Sequence, residues 1–314
     1  MKFNINIDEP IRSLDEIYVK AQESVKQQGP YRIVEAVAQD KLTLKGLALG
    51  RKQGLIEPIL IGHKRHINEM LDQISEKRSN WKIIVEKDHH TATVKAVKLI
   101  QEGKADILMR GNLLARDFFT ALFDPELGLR KPGGLWTNIV VLNVYPIDRL
   151  LFLTDCALVV NAELPERLKL IQNATEFANG LGIKEPKIAL LAAVETVTPG
   201  MPVALEEAII AKMSERGQFP KGVSVDGPLS LDLAINPHAV EKKKMKSQVA
   251  GQADILVVNN IHVGNVLFKS LITLCGASSA SVIVGAPFPI ILTSRSENPE
   301  NILYSFALSI LMKR

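Results

Sequence analysis

The sequence predicts an α/β protein of two lobes, and three observations carry that prediction. Short β-branched or aliphatic runs alternate with longer amphipathic stretches from about Tyr31 to the end, the pattern of a largely parallel sheet covered by helices. The alternation breaks once, between Leu127 and Asp148, into Gly, Pro and short β-like runs such as Ile139–Val144. With 314 residues and 46% hydrophobic content, the chain is long enough for two cores at roughly 100–200 residues per domain.

In the first lobe Tyr31–Val37 reads as a strand, Lys41–Gly54 as a helix, Pro58–Ile61 as a strand and His66–Ser75 as a helix. Trp81–Val85 follows as a strand, Thr91–Glu102 as a helix and Ala105–Met109 as a strand that runs into Arg110-Gly111-Asn112. A strand end followed by a Gly-containing turn is where open α/β sheets place ligands. In the second lobe Cys156–Val160 reads as a strand, Leu164–Leu181 as a helix, Lys187–Ala192 as a strand and Pro202–Glu215 as a helix. Gly222–Val225 is read as a strand with Gly227-Pro228 as the turn after it, then Ala253–Val258 as a strand, Gly264–Cys275 as a helix and Ser281–Gly285 as a strand. The closing helix, Pro299–Leu311, carries Pro in its first turn, where the missing N–H costs nothing.

Charge and composition exclude several classes. A net charge of +4 without a basic stripe does not make a nucleic-acid surface; the dense run Lys242-Lys243-Lys244 reads first as a solvated face. The apolar runs fall far short of the roughly 20 residues a membrane helix needs. The start, Met1-Lys2-Phe3-Asn4-Ile5-Asn6, has no secretory pattern, so a cytoplasmic protein is expected. Cys156 and Cys275 fit neither a disulfide framework nor a metal knuckle. No His-x-x-x-His, paired Cys or oxygen-cage Asp spacing occurs, so a metal is not indicated, and neither a Walker lysine loop nor G-x-G-x-x-G is present.

Three clusters have the residue types for chemistry. In Pro287–Glu297 an apolar strand ends in Thr293 and Ser294, then Arg295, Ser296 and Glu297, just before a helix. Arg forks onto phosphate oxygens, a Ser hydroxyl donates and accepts, and a helix start favours anions. The same residues equally form a plain helix cap with an Arg295–Glu297 pair. In Asn259–Lys269 a strand end enters a helix through His262, Gly264 and Asn265; Gly264 permits close backbone approach, and His262 reads either as a base or as a structural or merely exposed residue, the commoner case for a lone His. In Ser224–Asp232 a strand end, a turn and two carboxylates, Asp226 and Asp232, coincide, which turn formation alone also explains.

The order of these motifs resembles the phosphate acetyltransferase and phosphate butyryltransferase family, nearer the butyryl branch. The resemblance rests on Val225-Asp226-Gly227-Pro228-Leu229-Ser230-Leu231-Asp232, on Ser247-Gln248-Val249-Ala250-Gly251-Gln252-Ala253-Asp254, on Gly264-Asn265-Val266-Leu267-Phe268-Lys269 and on Leu292-Thr293-Ser294-Arg295. Ala105–Gly111 and Arg149–Asp155 support it. It implies two α/β/α domains around a deep cleft, a fold shared with isocitrate and isopropylmalate dehydrogenases, with the C-terminal helix returning to the first domain. The expected domains are therefore 1–148 plus 288–314, and 149–287. It implies a homodimer with no permanently bound cofactor, acting on coenzyme A, a short acyl phosphate and inorganic phosphate, the acyl group being butyryl or similar.

The resemblance implies that Ser294 sits beside the thiol or developing oxyanion and Arg295 holds the phosphoryl oxygens. It makes Arg110, Thr293, Asp232, Gly264, Asn265, Lys243 and His262 substrate-binding candidates, with Lys243 toward coenzyme A phosphates. Asn301 stands where the acetyl branch has its proposed base, seven residues after the Ser, so Glu297 is nominated as base in its place. His262 replaces a carboxylate, Asn138 stands where the butyryl branch often has His, and Leu233 follows Asp232 where Asn is usual. Two other classes are compatible with the same fold: a noncatalytic binding protein whose acid/base residues have drifted, and a hydroxy-acid dehydrogenase, against which the absence of a metal-carboxylate cluster argues.

Overall fold

The computed structural model describes residues 7, 9–294 and 297–313. They form two compact units: an N-terminal unit of Leu14–Gly134 with the described residues from 279 to 313, and a central unit of Leu135–Ser278 with residues 7 and 9–13.

The N-terminal unit begins with α1 (Leu14–Gln28), β1 (Tyr31–Ala36), α2 (Lys41–Lys52), β2 (Ile56–Gly62), α3 (Lys64–Gln73), β3 (Lys82–Val85), α4 (His89–Gln101), β4 (Ile107–Arg110) and α5 (Ala115–Leu122). The central unit holds β5 (Thr137–Asn143), β6 (Leu151–Thr154), α6 (Leu164–Gly180), β7 (Lys187–Leu191), α7 (Pro202–Glu215), β8 (Ser224–Leu229), α8 (Leu231–Ile235), α9 (Pro237–Lys243), β9 (Ile255–Val257) and α10 (Ile261–Thr273). The chain then returns to the first unit with β10 (Ser278–Val284), β11 (Ile290–Ile291) and α11 (Pro299–Met312). The chain passes between units at 13/14, 134/135 and 278/279. Residues 9–13, expected in the first domain, join the central unit, where the Ile11 N–H donates to the Leu181 carbonyl at 3.0 Å. The later two crossings lie ahead of the 148/149 and 287/288 boundaries read from the sequence, because β5 pairs with β6 and β10 with β11.

In the N-terminal unit the strand order is β3-β2-β1-β4-β11-β10. β1 runs parallel to β2 on one side and β4 on the other, so the chain reverses its direction across the sheet at the β1/β4 boundary. The α2 helix starts where the Asp40 carboxylate accepts the Leu42 and Thr43 N–H groups at 2.8 and 3.0 Å, and it buries Leu44, Leu47 and Ala48 at helical spacing. Glycines at 46 and 50 let α11 lie directly on it: a Cβ at Gly46 would stand 2.6 Å from the Ile302 side chain. Held between α1 and α2, α11 is buried without a break from Ser305 to Met312.

In the central unit the order is β5-β6-β9-β7-β8, with β5 antiparallel to β6 and the rest parallel. Its core gathers Leu142, Leu153, Ala189, Leu229, Leu256 and Phe268. Three elements differ here from the sequence reading. The strand expected at Cys156–Val160 is Leu151–Thr154, and it ends at Asp155 because that side chain takes up the Ala157 and Leu158 N–H groups, both at 2.7 Å. Gly227-Pro228, read as a turn, lies inside β8. The helix expected from Gly264 starts at Ile261, capped by Asn260 Oδ1 on the Val263 N–H at 3.0 Å. Helices α1 and α5 were not expected from the sequence; α1 is amphipathic, burying Leu14, Ile17, Ala21 and Ser24.

Candidate active site

In the N-terminal unit the decisive feature is that β4 and β11 are parallel neighbours, with Leu108 opposite Ile290 and Met109 opposite Ile291. Both strands therefore deliver their carboxyl ends to the same edge, beside the point where strand order reverses, which is where open α/β sheets bind ligands. Arg110 ends β4, and its guanidinium donates to the Thr293 carbonyl at 2.5 Å and the Leu113 carbonyl at 3.2 Å. The following Gly111 lies so close to β1 that a Cβ there would stand 2.3 Å from the Val37 carbonyl oxygen. Arg110, Thr293, Ser294 and Glu297 are thus brought together; Arg295 and Ser296 lie outside the described residues.

Glu297 is buried, and its carboxylate accepts the Ser294 N–H at 2.5 Å. Burial pushes its pKa up to about 7, opposed by that N–H and by the positive charge of Arg110. A carboxyl poised there takes a proton near neutral pH. The helix-cap reading of Thr293 and Ser294 does not hold, because α11 is capped by Asn298 Oδ1 on the Asn301 N–H at 2.8 Å. Asn301 is buried and accepts the Ser279 N–H at 3.1 Å through Oδ1. Its side chain ties β10 to α11.

In the central unit the candidates fall into two groups. At the carboxyl end of β8, Asp232 is exposed, and the Ser230 hydroxyl, at 2.6 Å, holds its pKa below the usual range with help from the charge of Lys243. Lys243 ends α9 and pairs with Glu195 at 2.6 Å, which raises its own pKa. At the carboxyl end of β6, Gly264 faces protein backbone: a Cβ there would stand 2.3 Å from the Asp155 carbonyl oxygen. Asn265 donates from Nδ2 to the Cys156 carbonyl at 3.2 Å. His262 is exposed in the first turn of α10.

Asp155 is the residue that sequence reasoning misses. It is buried, and besides the two N–H groups that end β6 it accepts the Asn138 N–H at 2.7 Å. The Cys156 thiol donates to Asn138 Oδ1 at 3.3 Å. The available signal is the run Leu151-Phe152-Leu153-Thr154 ending in an acidic residue, which a strand placed at Cys156–Val160 obscures. The Asp226 and Ser247 motifs, distant in sequence, are joined by a hydrogen bond from the Ser247 hydroxyl to the Asp226 carboxylate. No group of three or more metal-ligating side chains occurs among the described residues.

Residues 66–310 match the family described as phosphate acetyl/butaryl transferase. The chain belongs to this family. It is 36% identical over 302 residues to a phosphate butyryltransferase of Clostridium acetobutylicum, covering 96% of this chain and 98% of the relative. It is 34% identical over 278 residues to a phosphate acetyltransferase of Thermotoga maritima, covering 88% and 94%. Among solved structures it is similar to a branched-chain phosphotransacylase from Enterococcus faecalis V583, at TM-score 0.76 and 29% identity over 90% of this chain and 100% of that one. The fold is also that of 4-hydroxythreonine-4-phosphate dehydrogenase from Klebsiella pneumoniae, at TM-score 0.53 and 15% identity over 89% and 98%, which bears out the expected kinship with dehydrogenases in fold alone. No helix among the described residues is long and apolar enough to cross a membrane.

Proposed function

We propose that this chain is an acyltransferase that moves a short acyl group reversibly between coenzyme A and inorganic phosphate. The observation that carries the reading is the Arg110–Thr293–Ser294–Glu297 cluster at the sheet's switch point, in a chain that aligns with a butyryltransferase over 96% of its length. In the direction of thioester synthesis the coenzyme A thiol loses its proton to Glu297. The sulfur then attacks the acyl carbonyl, the C–S bond forms, the C–O bond to phosphate breaks, and phosphate leaves with the electron pair. Phosphate is a good leaving group, so the site has mainly to orient and to stabilise charge.

Arg110 and Arg295 supply positive charge for the phosphoryl oxygens, and Ser294 lies beside the developing oxyanion. A thiol has an unperturbed pKa of about 8.5, and a carboxylate of pKa about 7 is matched to assist its ionisation near neutrality. On the central unit, Lys243, Asp232, Asn265, Gly264 and His262 are assigned to coenzyme A binding, Gly264 by letting α10 approach β6 closely enough to present Asn265. The protein works in the cytoplasm as a homodimer with no permanently bound cofactor, and butyryl or a chain of similar size is the preferred acyl group.

The test is a panel of acetyl-, propionyl-, butyryl- and isobutyryl-coenzyme A with phosphate, with free thiol as the readout. The four-carbon thioesters turn over with the highest kcat/KM. Coenzyme A binding by calorimetry without turnover of any member would replace this reading with a noncatalytic binding protein. Reduction of a nicotinamide cofactor by a hydroxy acid and a divalent metal would replace it with a dehydrogenase.

A further inference from the structure

The N-terminal unit carries a second set of cations at the opposite edge of its sheet, around the amino ends of β1, β2 and β3. A cavity of about 390 Å³ opens there, lined by Arg32, Arg51, Lys82 and Lys104 against a single carboxylate, Glu57. We propose that this cavity binds a small phosphorylated anion, distinct from the acyl-transfer substrates held at the carboxyl edge.

Two of the cations are fixed in place. Arg32 forks onto Asp106 at 2.9 and 2.7 Å and donates to the Gly103 carbonyl at 2.8 Å. Arg51 pairs with Glu76 at 2.6 Å and lies over the Trp81 ring, 5.1 Å from its centre. Neither carboxylate cancels its local charge, since Asp106 is shared with Lys313, and Glu76 with Lys52 at 2.8 Å. Lys82 has no ion-pair partner among the described residues, and Lys104 pairs with Glu102 at 2.7 Å. Six cations thus face four carboxylates, which leaves an excess of two positive charges.

Arg51 and Lys52 suit the carboxyl end of α2 on their own account, but Arg32 and Lys82 sit on strands, where no helix end calls for them. Pre-positioned guanidinium groups match phosphoryl oxygens. Pro58 and Ile59 add an apolar wall, and cavities of roughly 300–1,000 Å³ accept small molecules.

Trp81 stands between the lining residues Asn80 and Lys82 and is one of two tryptophans, the other being Trp136, so it reports on this cavity. The full chain carrying Trp136→Phe is titrated with inorganic pyrophosphate at constant ionic strength. A saturable change in Trp81 emission is expected. Lys82→Glu and Lys104→Glu, both exposed side chains, should each weaken it about tenfold or more, the loss of a charge-assisted hydrogen bond, while Arg110→Ala leaves it unchanged. A linear response equal to that of sodium chloride, saturation untouched by both charge reversals, or saturation lost in Arg110→Ala overturns the proposal. If Trp136→Phe fails to fold, calorimetry of pyrophosphate on the otherwise unaltered chain, with and without Lys82→Glu, decides the same question: heat that saturates and weakens in Lys82→Glu supports the site, and its absence overturns it. Because the readout is binding, its failure leaves the acyltransferase reading standing.

Discussion

The Glu297 carboxylate accepts the Ser294 N–H at 2.5 Å while the Glu297 N–H donates to the Ser294 carbonyl at 3.1 Å. This closed turn holds a buried carboxyl beside the Ser that family resemblance assigns to the reacting centre. With its pKa raised to about 7, the carboxyl gains its charge as pH rises through neutrality. The rate of thioester synthesis should therefore climb along a limb centred near pH 7. Glu297→Gln should remove that limb and slow turnover by a factor of about 10²–10⁴, the usual contribution of a positioned base. An unaltered pH profile in the variant would remove Glu297 from the role of base.

Gly111 is required by close approach. A Cβ at this position would overlap the Val37 carbonyl oxygen at 2.3 Å, and backbone cannot step aside as a side chain does. Gly111→Ala should destabilise the chain by about 1–3 kcal/mol, the range for overpacked sites. It should also lower kcat/KM through displacement of the adjacent Arg110. Urea unfolding and steady-state kinetics on the same preparation check both effects.

Asn301 fastens the return of the chain. Its Oδ1 accepts the buried Ser279 N–H, so Asn301→Ala should cost about 1–3 kcal/mol by leaving that donor unsatisfied. Turnover per folded molecule should remain close to that of the parent. A large fall in kcat without loss of stability would instead place Asn301 in the chemistry.

Most helices and strands were legible because burial follows period, as in α2 and α3, and the motif order identified the family. The Arg110–Thr293 contact was not, since it depends on β4 and β11 lying side by side in parallel register, a long-range pairing that local pattern does not encode. The same limit explains Asp155. Its value as an acceptor of three N–H groups appears only when β5 brings Asn138 beside β6. Gly264 was visible as a close-approach residue, but what approaches it is the Asp155 carbonyl, which no sequence pattern specifies.

Glu35 lies fully buried on β1 with neither carboxyl oxygen hydrogen-bonded. Burial raises its pKa to about 8 from 4.5, opposed by the nearby Thr43. The folded chain keeps this proton while the unfolded chain releases it, so stability should fall as pH rises from about 4.5 to about 8 and lose nothing more above that. The full loss is on the order of 5 kcal/mol at about 1.36 kcal/mol per pKa unit. Glu35→Gln should flatten the decline in urea midpoint over that window; an equally steep decline in the variant would assign it to other groups.

Phosphate-dependent release of free coenzyme A from butyryl-coenzyme A, compared between the parent chain and Arg295→Ala, bears most directly on acyl transfer at this site. The expected result is thiol release that requires phosphate, yields an acyl phosphate in equal amount and collapses in the variant. Thiol release that proceeds equally without phosphate, or that survives Arg295→Ala undiminished, would contradict acyl transfer to phosphate at this site.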